Sequence, residues 1–315
     1  MTHHRLLKLF SGTSHPKLAQ EIATCLGVEV SESVVKHFAS GEIYFKPMET
    51  VRECDVFIVQ TATSNVNEDM MELFVMLDAM KRSFAERIHV VMPHYAYSRQ
   101  DRVASPREPI SARLMADLIS TAGATHLITL SLHSGQTQGF FSFPVDNIHT
   151  HRLFIDYFKK KKIKDLVVVS TDAGGAKAAK RLADAFGVEI AVINKMRPSH
   201  NVAAVLSVVG DVKGKTCIVF DDMIDTGGSV VTAYEALRKE GANPDIYLAA
   251  THAVFSDPCA ERLRKVGYKE VIVTNSIPLP KKKNFPGLKV LSVAPLISDV
   301  IRCVHEGKSV TGVWE

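Results

Sequence analysis

The residues best suited to chemistry form one segment, in which an apolar run ends in paired carboxylates and a glycine-rich turn. The apolar run is 217–220, Asp221 and Asp222 follow it, and Gly227 and Gly228 close the turn. An apolar run, a glycine turn and a helical spacing of apolar residues predict a strand, a tight turn and a helix. The free N–H groups and the dipole at the start of such a helix favour phosphate binding. The segment therefore predicts a phosphate-binding loop.

The acids in front of this loop need a separate role, because carboxylates repel phosphate. The oxygens of Asp221 and Asp222 can accept hydrogen bonds from vicinal sugar hydroxyls, or bind a divalent cation that bridges to phosphate. A simple turn with a helix-flanking acid is the plainer interpretation. However, six fixed residue types within 221–228, at roughly one in twenty each, would coincide by chance with a frequency on the order of 10⁻⁸. A phosphosugar site is therefore favoured.

A second segment, 91–102, follows a predicted strand and places two tyrosines beside two arginines. Arginine offers a planar, permanently charged fork for phosphate and stacks on bases, and the amide of Gln100 offers the donor and acceptor that read a base edge. This mixture suits a nucleoside triphosphate. By composition alone, a solvent-exposed polar turn fits equally well.

The length and composition fit a two-domain protein that binds small anions. The chain has 315 residues, 46% of them hydrophobic, and a net charge of +4, without the clustered excess of a nucleic-acid binder. The five cysteines are scattered and mostly lie in apolar stretches, which predicts neither disulfides nor a zinc site. There is no long apolar signal region, and no apolar run approaches the ~20 residues of a membrane span. We therefore expect a cytoplasmic protein without a membrane partner.

Short apolar strands alternate with amphipathic helices along the whole chain, which predicts an α/β fold with parallel sheets covered on both faces. Both halves repeat this order, so we expect two doubly wound domains, 1–148 and 149–290, with 291–315 packing back on the first. The predicted strands are 6–10, 55–60, 88–92, 126–130, 166–170, 189–194, 205–209, 216–220, 246–251 and 270–273. The predicted helices are 16–26, 68–84, 110–122, 152–161, 175–186 and 294–304.

The loop after the paired acids resembles the phosphoribosyl pyrophosphate loop of the type I phosphoribosyltransferase fold. This resemblance implies a ribose 5-phosphate site made of Asp221, Asp222, Asp225, Thr226, Gly227, Gly228 and Ser229. The loop alone does not separate enzymes that consume phosphoribosyl pyrophosphate from the enzyme that makes it. The rest of the chain must decide.

Several further segments resemble ribose-phosphate pyrophosphokinases, and the resemblance covers essentially the full length. The stretch 99–102 is similar to the family's ATP-binding segment, and 38–42 to a second ATP-binding stretch that reaches the adenine from a neighbouring subunit. A long family signature matches 133–141 and 144–147. The implied ATP-binding residues are Phe38, Ser40, Gly41, Glu42, Arg99, Gln100 and Asp101.

The resemblance also implies a magnesium site at His133 and Asp172, with Mn²⁺ as a possible substitute. Magnesium prefers oxygen ligands, so chemistry alone would not select His133. Asp172 is the better ligand, because it follows a predicted strand at the carboxyl edge of a parallel sheet. An N-cap for the following helix is a serious alternative for Asp172.

Two cations follow the predicted strand 189–194. Lys195 and Arg197 suit phosphoryl transfer, in which the protein mainly positions the reactants and neutralises developing charge. From the residues alone, an ordinary surface Lys and Arg would be the default. The resemblance implies that Lys195 is the catalytic lysine and that Arg197 is its partner, which also contacts ribose 5-phosphate.

The implied activity is transfer of pyrophosphate from Mg-ATP to the 1-hydroxyl of ribose 5-phosphate, giving 5-phosphoribosyl 1-pyrophosphate and AMP for nucleotide, histidine and tryptophan biosynthesis. Two alternatives are a phosphoribosyltransferase, which uses the same loop, and a non-catalytic regulatory relative. A transferase does not need Arg99, Gln100, Lys195 or the additional domain. The presence of Lys195, Arg197 and the Asp221–Asp222 pair argues against a non-catalytic relative.

The resemblance further implies a homohexamer that phosphate activates and ADP inhibits at a subunit interface. The positions that resemble this effector pocket are Ser83, Gln138, Asp146, Ser309 and Thr311. Ser40, Ser131 and Ser142 stand where the family commonly has Asp. Ser40 would weaken the adenine contact, and the other two would reduce secondary magnesium binding or alter the response to effectors.

Overall fold

The computed structural model describes residues 5–196 and 205–313, and the chain folds into two compact units. The N-terminal unit contains the described residues up to His149, Ser276–Pro278, and those from Ser292 onward. The C-terminal unit contains Thr150–Asn275 and Leu279–Leu291. None of the helices within the described ranges is long and apolar enough to cross a membrane.

Fourteen strands and eight α-helices are present in the described residues. The strands are β1 (Leu7–Ser11), β2 (Ser33–His37), β3 (Ile43–Pro47), β4 (Asp55–Val59), β5 (Arg87–Met92), β6 (His126–Leu130), β7 (Val145–Ile148), β8 (Leu166–Ser170), β9 (Ile190–Met196), β10 (Val205–Val209), β11 (Thr216–Ile224), β12 (Tyr247–Ala253), β13 (Glu270–Thr274) and β14 (Leu288–Leu291). The helices are α1 (Pro16–Leu26), α2 (Val66–Arg82), α3 (Ser111–Ala122), α4 (His151–Lys159), α5 (Ala176–Phe186), α6 (Gly228–Lys239), α7 (Cys259–Val266) and α8 (Ala294–His305).

The N-terminal unit is built on a parallel sheet with the strand order β1-β4-β5-β6-β7. Strands β4 and β6 are buried along their whole length, as expected for parallel strands covered on both faces. Helix α8 packs on α1, where Ser298 Oγ donates to the Ile22 carbonyl at 3.3 Å and Arg302 Nη2 donates to the Cys25 carbonyl at 3.1 Å. The end of the chain thus completes the core of this unit.

The C-terminal unit is built on a seven-stranded sheet with the order β10-β9-β8-β11-β12-β13-β14. Its strands are parallel except for β10, which pairs antiparallel with β9. The chain moves from β8 to β9 on one side and later returns to place β11 on the other. The carboxyl ends of β8 and β11 therefore form a topological switch point, where open α/β sheets bind ligands.

The α/β fold class and the parallel sheets are confirmed, but one boundary differs where it matters. Strand β11 does not end at Phe220 as predicted; it continues through both acids to Ile224. Beyond the end of β8, the additional residues of β11 pair with β12. In this pairing Asp221 lies opposite Ala250, and Ile224 lies opposite Ala253. Asp221 and Asp222 therefore lie on a strand and not in a turn.

Several elements were not predicted from the sequence. They are the β2–β3 hairpin, the short strands β7 and β14, and helix α7. Most residues of these four strands are half-buried or exposed, so they lack the apolar run that marks an interior strand. Only tertiary packing shows that they are regular elements.

Candidate active site

The paired acids lie at the switch point of the C-terminal sheet. The register pairs Phe220 with Ser170, so Asp221 on β11 is a neighbour of Thr171, the first residue after β8. Asp221 accepts two hydrogen bonds from the chain: Thr171 Oγ1 donates to its Oδ2 at 2.6 Å, and the Asp222 backbone N–H donates to its Oδ1 at 2.8 Å. The Asp221 carboxylate is thus held from two neighbouring strands.

Burial raises the pKa of Asp221 above its ordinary value, and the adjacent carboxylate of Asp222 raises that pKa further. The hydrogen bonds from Thr171 and from the Asp222 N–H act in the opposite direction but do not offset these two effects. Two acids this close are stabilised by hydroxyl donors or by a cation. The electrostatics therefore fit a polyhydroxylated or metal-bound ligand at this edge.

The loop after β11 leads directly into α6. Gly227 is the N-cap of α6, with φ 78° and ψ 0°, and a Cβ at this position would lie 3.1 Å from Cys259 Sγ. The first turn of α6 has no acidic residue, and no side chain caps the helix start. Thr226, Gly228 and Ser229 are exposed. The start of α6 is therefore open to an anion, and its role as a phosphate site stays a prediction.

Arg262 on α7 was missed by the sequence analysis, although it contacts this loop. Its Nη1 donates to the Thr226 carbonyl at 2.9 Å and lies 4.0 Å from the position of a Cβ on Gly228. The arginine adds a positive charge beside the predicted phosphate site. Because α7 itself was not predicted, nothing in the sequence pointed to this contact.

Asp172 follows β8 and is exposed. Its Oδ1 accepts a hydrogen bond from the Gly175 backbone N–H at 2.9 Å, just before α5. Asp172 is not the N-cap of α5, which is Gly175, so this bond holds the loop before the helix. The bond uses one oxygen of the carboxylate, so metal binding through the other oxygen stays a prediction.

His133 lies in the N-terminal unit, in an exposed loop before a short 3₁₀ helix, Gly135–Phe140. Within 5–196 and 205–313, no three His, Cys, Asp or Glu side chains are grouped so that they could hold a metal ion. Magnesium commonly binds one or two carboxylates together with waters and substrate phosphates. The chemistry of the donors, Asp172 above all, still fits such an ion.

Lys195 lies on β9, opposite Leu206 of β10, whereas the sequence analysis placed it after the end of that strand. The antiparallel pairing with β10 extends β9 by two residues beyond the predicted end at Asn194. Arg197 lies outside the described residues. The roles of both cations stay predictions.

The predicted ATP-binding segment of the N-terminal unit follows β5. Buried Tyr95 anchors it by donating from its hydroxyl to the Ala112 carbonyl at 2.8 Å. Arg99 and Gln100 are exposed, and Gln100 Oε1 accepts a hydrogen bond from Ser111 Oγ at 2.7 Å at the start of α3. The segment is therefore a fixed turn that presents a guanidinium and an amide to solvent, with half-buried Asp101 next to them.

The second predicted ATP-binding stretch forms the tip of the β2–β3 hairpin. The tip is closed by hydrogen bonds from the Phe38 N–H to the Glu42 carbonyl and from the Gly41 N–H to the Phe38 carbonyl, both at 2.9 Å. Phe38 is 54% exposed. Ser40 Oγ donates to Glu42 Oε2 at 2.6 Å, a contact that a second carboxylate at this position would turn into repulsion. An exposed aromatic ring at a hairpin tip is available for stacking.

The predicted effector residues all lie in the N-terminal unit. Ser309 Oγ donates to Thr311 Oγ1 at 3.3 Å, and Gln138 Nε2 donates to the Gly135 carbonyl at 3.0 Å. Ser83 is the C-cap of α2. Asp146 Oδ2 lies 3.1 Å from His126 Nε2 on the neighbouring strand. The structure thus assigns each residue local contacts, and their role as one effector pocket stays a prediction.

Two family profiles match the chain: the N-terminal domain of ribose phosphate pyrophosphokinase matches residues 7–123, and the phosphoribosyl synthetase-associated domain matches residues 196–314. Ribose-phosphate pyrophosphokinase 1 of Listeria monocytogenes is 46% identical over 310 residues, which cover 98% of this chain and 97% of the relative. The ribose-phosphate pyrophosphokinase of Bacillus caldolyticus is 47% identical over 309 residues, 98% of each chain. The crystal structure of phosphoribosylpyrophosphate synthetase from Mycobacterium smegmatis superposes with a TM-score of 0.92 at 46% identity, covering 96% of this chain and 100% of that one.

Proposed function

This chain belongs to the ribose-phosphate pyrophosphokinase family, and from that premise we propose how its residues perform the family's reaction. The chain is a diphosphotransferase that makes 5-phosphoribosyl 1-pyrophosphate from ATP and ribose 5-phosphate. The main support for the sugar site is the position of Asp221 and Asp222. They lie at the switch point of β8 and β11, directly before the uncapped start of α6.

The C-terminal unit binds the sugar in this proposal. The 5-phosphate occupies the start of α6, where Thr226, Gly228 and Ser229 are exposed and no side chain caps the helix. Asp221 and Asp222 accept hydrogen bonds from the vicinal ring hydroxyls, which compensate the buried negative charge. Asp225, Gly227 and Gly228 shape the loop between the two groups of contacts.

Lys195 and Arg197 supply positive charge to the transferring group. Phosphoryl transfer needs little covalent help from the protein, so cations that neutralise the equatorial oxygens and the leaving group are the main catalytic requirement. Lys195 is on β9, the strand next to β8, and this position near the end of a neighbouring strand supports the proposal. Arg197 is proposed from the family resemblance.

The N-terminal unit binds ATP in this proposal. Arg99 contacts the phosphates, Gln100 and Asp101 contact the nucleoside, and Phe38 at the hairpin tip stacks on an adenine, with Ser40, Gly41 and Glu42 shaping the tip. Asp172 and His133 would hold Mg²⁺, or Mn²⁺ in its place. The ion supplies charge neutralisation of the ATP phosphates.

The reaction is an in-line displacement at the β-phosphorus of ATP. The 1-hydroxyl oxygen of ribose 5-phosphate forms the new bond to that phosphorus, and the bond from the β-phosphorus to the oxygen bridging it to the α-phosphate breaks. AMP leaves with that oxygen, and the hydroxyl proton passes to solvent. Holding both substrates in line can contribute up to ~7–11 kcal/mol through effective molarity, so positioning matters more here than a general base.

The test is the nucleotide product. Incubation of the purified protein with ATP, Mg²⁺ and ribose 5-phosphate should give AMP and phosphoribosyl pyrophosphate in equal amounts, with no AMP when the sugar is omitted. Lys195→Ala should fold normally and lose on the order of 10²–10³-fold in kcat with little change in either KM, because its charge acts mainly in the transition state.

Other outcomes would favour the alternatives. Consumption of phosphoribosyl pyrophosphate with a free base, without AMP release from ATP, would indicate a phosphoribosyltransferase. Sugar binding without turnover would indicate a non-catalytic relative. Near-normal kcat in Lys195→Ala would remove Lys195 from the mechanism.

We also propose, from the family resemblance, a cytoplasmic homohexamer that phosphate activates and ADP inhibits. The effector pocket would comprise Ser83, Gln138, Asp146, Ser309 and Thr311. With Ser131 and Ser142 in place of the family's acids, fewer carboxylates surround His133, and a weaker secondary magnesium response is expected. The assembly and the phosphate response are tested together below.

A further inference from the structure

The switch point of the C-terminal sheet holds a buried hydroxyl that the reaction described above does not use. Thr171 directly follows the last residue of β8 and is 4% exposed. We propose that Thr171 is a positioning residue, whose hydroxyl holds the Asp221 carboxylate in the orientation that binds the vicinal hydroxyls of ribose 5-phosphate. This inference rests on the proposed sugar site.

The hydrogen-bonding capacity of Asp221 matches this role. An ionised carboxylate has about four lone-pair sites, two on each oxygen. One site on Oδ2 takes the hydroxyl of Thr171, and one site on Oδ1 takes the backbone N–H of Asp222. The side chain of Asp222 also forms a hydrogen bond with the Asp221 carboxyl. The two acids together still have acceptor sites for the two O–H donors of a vicinal diol.

The two internal bonds also fix the plane of the carboxylate. Rotation about the terminal torsion of an Asp side chain is broad, so an unrestrained carboxylate would sample many orientations. One donor is the backbone of β11 itself and the other comes from the end of β8, so they hold different oxygens from different strands. A β-branched threonine is itself restricted at χ1. The site is thus oriented before the sugar binds, which lowers the entropy cost of binding.

A neutral hydroxyl suits this place better than a charged donor. A lysine or arginine at 171 would neutralise Asp221 and occupy more of its acceptor sites. Threonine uses one acceptor site and leaves the negative charge for the ligand. The short contact of 2.6 Å is typical of a hydroxyl that donates to a carboxylate.

The decisive experiment compares Thr171→Val with Thr171→Ser in the AMP-release assay. Valine keeps the shape and removes the donor, so KM for ribose 5-phosphate should rise about tenfold while KM for ATP changes less than about twofold. Serine keeps the donor and should stay within about twofold of the wild type. Because KM does not depend on the amount of active enzyme, partial misfolding of a variant would lower only the apparent kcat.

A second readout uses 2-deoxyribose 5-phosphate, which lacks one of the two vicinal donors. The wild type should prefer ribose 5-phosphate, because the deoxy sugar leaves one acceptor site of the pair Asp221 and Asp222 unfilled. In Thr171→Val the ratio of the two kcat/KM values should fall several-fold, since the carboxylate is no longer fixed toward both hydroxyls. Loss of packing alone would not change this ratio.

The matched control is Thr274→Val. Thr274 is also buried in the C-terminal sheet, and its Oγ1 donates to the Thr251 carbonyl at 2.7 Å, so the variant loses a comparable hydrogen bond without touching Asp221. It should leave KM for ribose 5-phosphate unchanged. If Thr171→Val does not fold, Thr171→Ala provides the same comparison without adding a methyl group in place of the hydroxyl.

The inference is overturned if Thr171→Val keeps the wild-type KM for ribose 5-phosphate, or if Thr171→Ser is as impaired as Thr171→Val. Asp221→Ala separates this failure from failure of the sugar site. An active Asp221→Ala variant with an unchanged KM for ribose 5-phosphate would refute the proposed sugar site itself. A raised KM in Asp221→Ala with no effect of Thr171→Val would refute only the role of Thr171.

Discussion

At the scale of single residues, the site combines groups that are costly to leave without a ligand. The acids at 221 and 222 share a half-buried position, and burial together with mutual repulsion raises the pKa of Asp221. Next to them, Gly227 has a backbone conformation that side chains disfavour and a close neighbour in Cys259. Both features cost stability, the first through desolvation and repulsion and the second through the backbone conformation. Such residues are typical of binding sites, where the ligand compensates what folding does not.

Gly227→Ala should weaken sugar binding as well as stability. The positive φ costs any alanine about 1–2 kcal/mol, and here the new Cβ would also lie 3.1 Å from Cys259 Sγ, which forces the loop to shift. We expect a rise in KM for ribose 5-phosphate of at least about tenfold, with the melting temperature lowered. Steady-state kinetics and thermal unfolding measure the two effects.

Gly187→Ala is the control for this prediction. Gly187 ends α5 with φ 65°, but no atom lies within 4 Å of the Cβ position, so only the backbone cost applies. Gly187→Ala should lower the free energy of unfolding by a similar cost of the positive φ. It should leave the KM for ribose 5-phosphate unchanged. Equal effects of both variants on KM would show that the shape of the loop at Gly227 is not specific to sugar binding.

At the scale of elements, the strands β4 to β7 of the N-terminal sheet carry a row of buried polar groups. His89 Nδ1 lies 3.0 Å from His126 Nδ1, and His126 Nε2 lies 3.1 Å from Asp146 Oδ2. In the tautomer in which His126 donates from Nε2 to the carboxylate, its Nδ1 accepts a hydrogen bond from His89 Nδ1. The remaining ring nitrogen of His89, Nε2, is buried without a hydrogen-bond partner. Because a protonated Nε2 would be a buried donor without a partner, these contacts favour the neutral form of His89.

A second buried polar group ties α8 to the same sheet. Asp55 on β4 is fully buried, and it accepts hydrogen bonds from Arg87 on β5 and from His305 Nδ1 at 2.8 Å. Burial raises the pKa of Asp55, but the bonds from Arg87 and His305 outweigh it and hold the pKa below its ordinary value. The final helix is thus joined to the sheet by a charged contact as well as by its apolar face.

The buried histidine predicts a pH dependence of stability. Burial, followed by the proximity of His126, lowers the pKa of His89 from 6.5 to about 3. Between these values the unfolded chain binds a proton that the folded protein does not, so stability falls as the pH decreases from 6.5 toward 3. The loss approaches ~1.4 kcal/mol per pH unit well below pH 6.5. His89→Phe, which preserves the stacking on Phe57, should flatten this part of the profile.

Urea unfolding between pH 7.5 and 5 measures the effect. His37→Gln is the control, because His37 is largely exposed and contacts Glu68 on the surface, so the variant should retain the wild-type profile. A profile of His89→Phe that parallels the wild type would show that another group binds the proton.

At the scale of the whole molecule, the chain consists of two units, each with its own parallel sheet and core. A reaction with two substrates fits this organisation, since each unit presents its own set of polar groups at strand ends. Several large apolar side chains are nevertheless exposed, among them Met71 on α2 and Leu114 and Leu118 on α3. Exposed apolar residues spaced four apart on a helix are compatible with contacts between subunits.

The proposed assembly predicts a mass. Light scattering of the purified protein should give about six times the chain mass of 34.7 kDa. Activity should rise as phosphate is added to a phosphate-free assay and fall again with ADP, because the proposed effector pocket forms only between subunits. A monomeric mass at assay concentrations would contradict the assembly. Activity that is flat from zero to high phosphate would contradict the effector pocket.

The sequence by itself determined the local chemistry and the class of fold. Alternating apolar strands and amphipathic helices follow from periods that are readable without a partner, so the α/β class and most interior elements were predicted within a few residues. The loop at 225–229 was likewise predictable, since glycine spacing and the start of a helix are local features. The motifs at 99–102 and 221–228 indicated the family, which the comparisons confirm.

Only the tertiary structure decided features that depend on which strands are neighbours. Strand β11 continues through Asp221 and Asp222 because β12 supplies hydrogen-bond partners beyond the end of β8. The bond from Thr171 to Asp221 joins residues fifty positions apart, and Arg262 contacts Thr226 from a helix with no clear sequence signal. Local patterns record which residues a segment contains, whereas sheet order and register determine which side chains meet, and the geometry of the site depends on the latter.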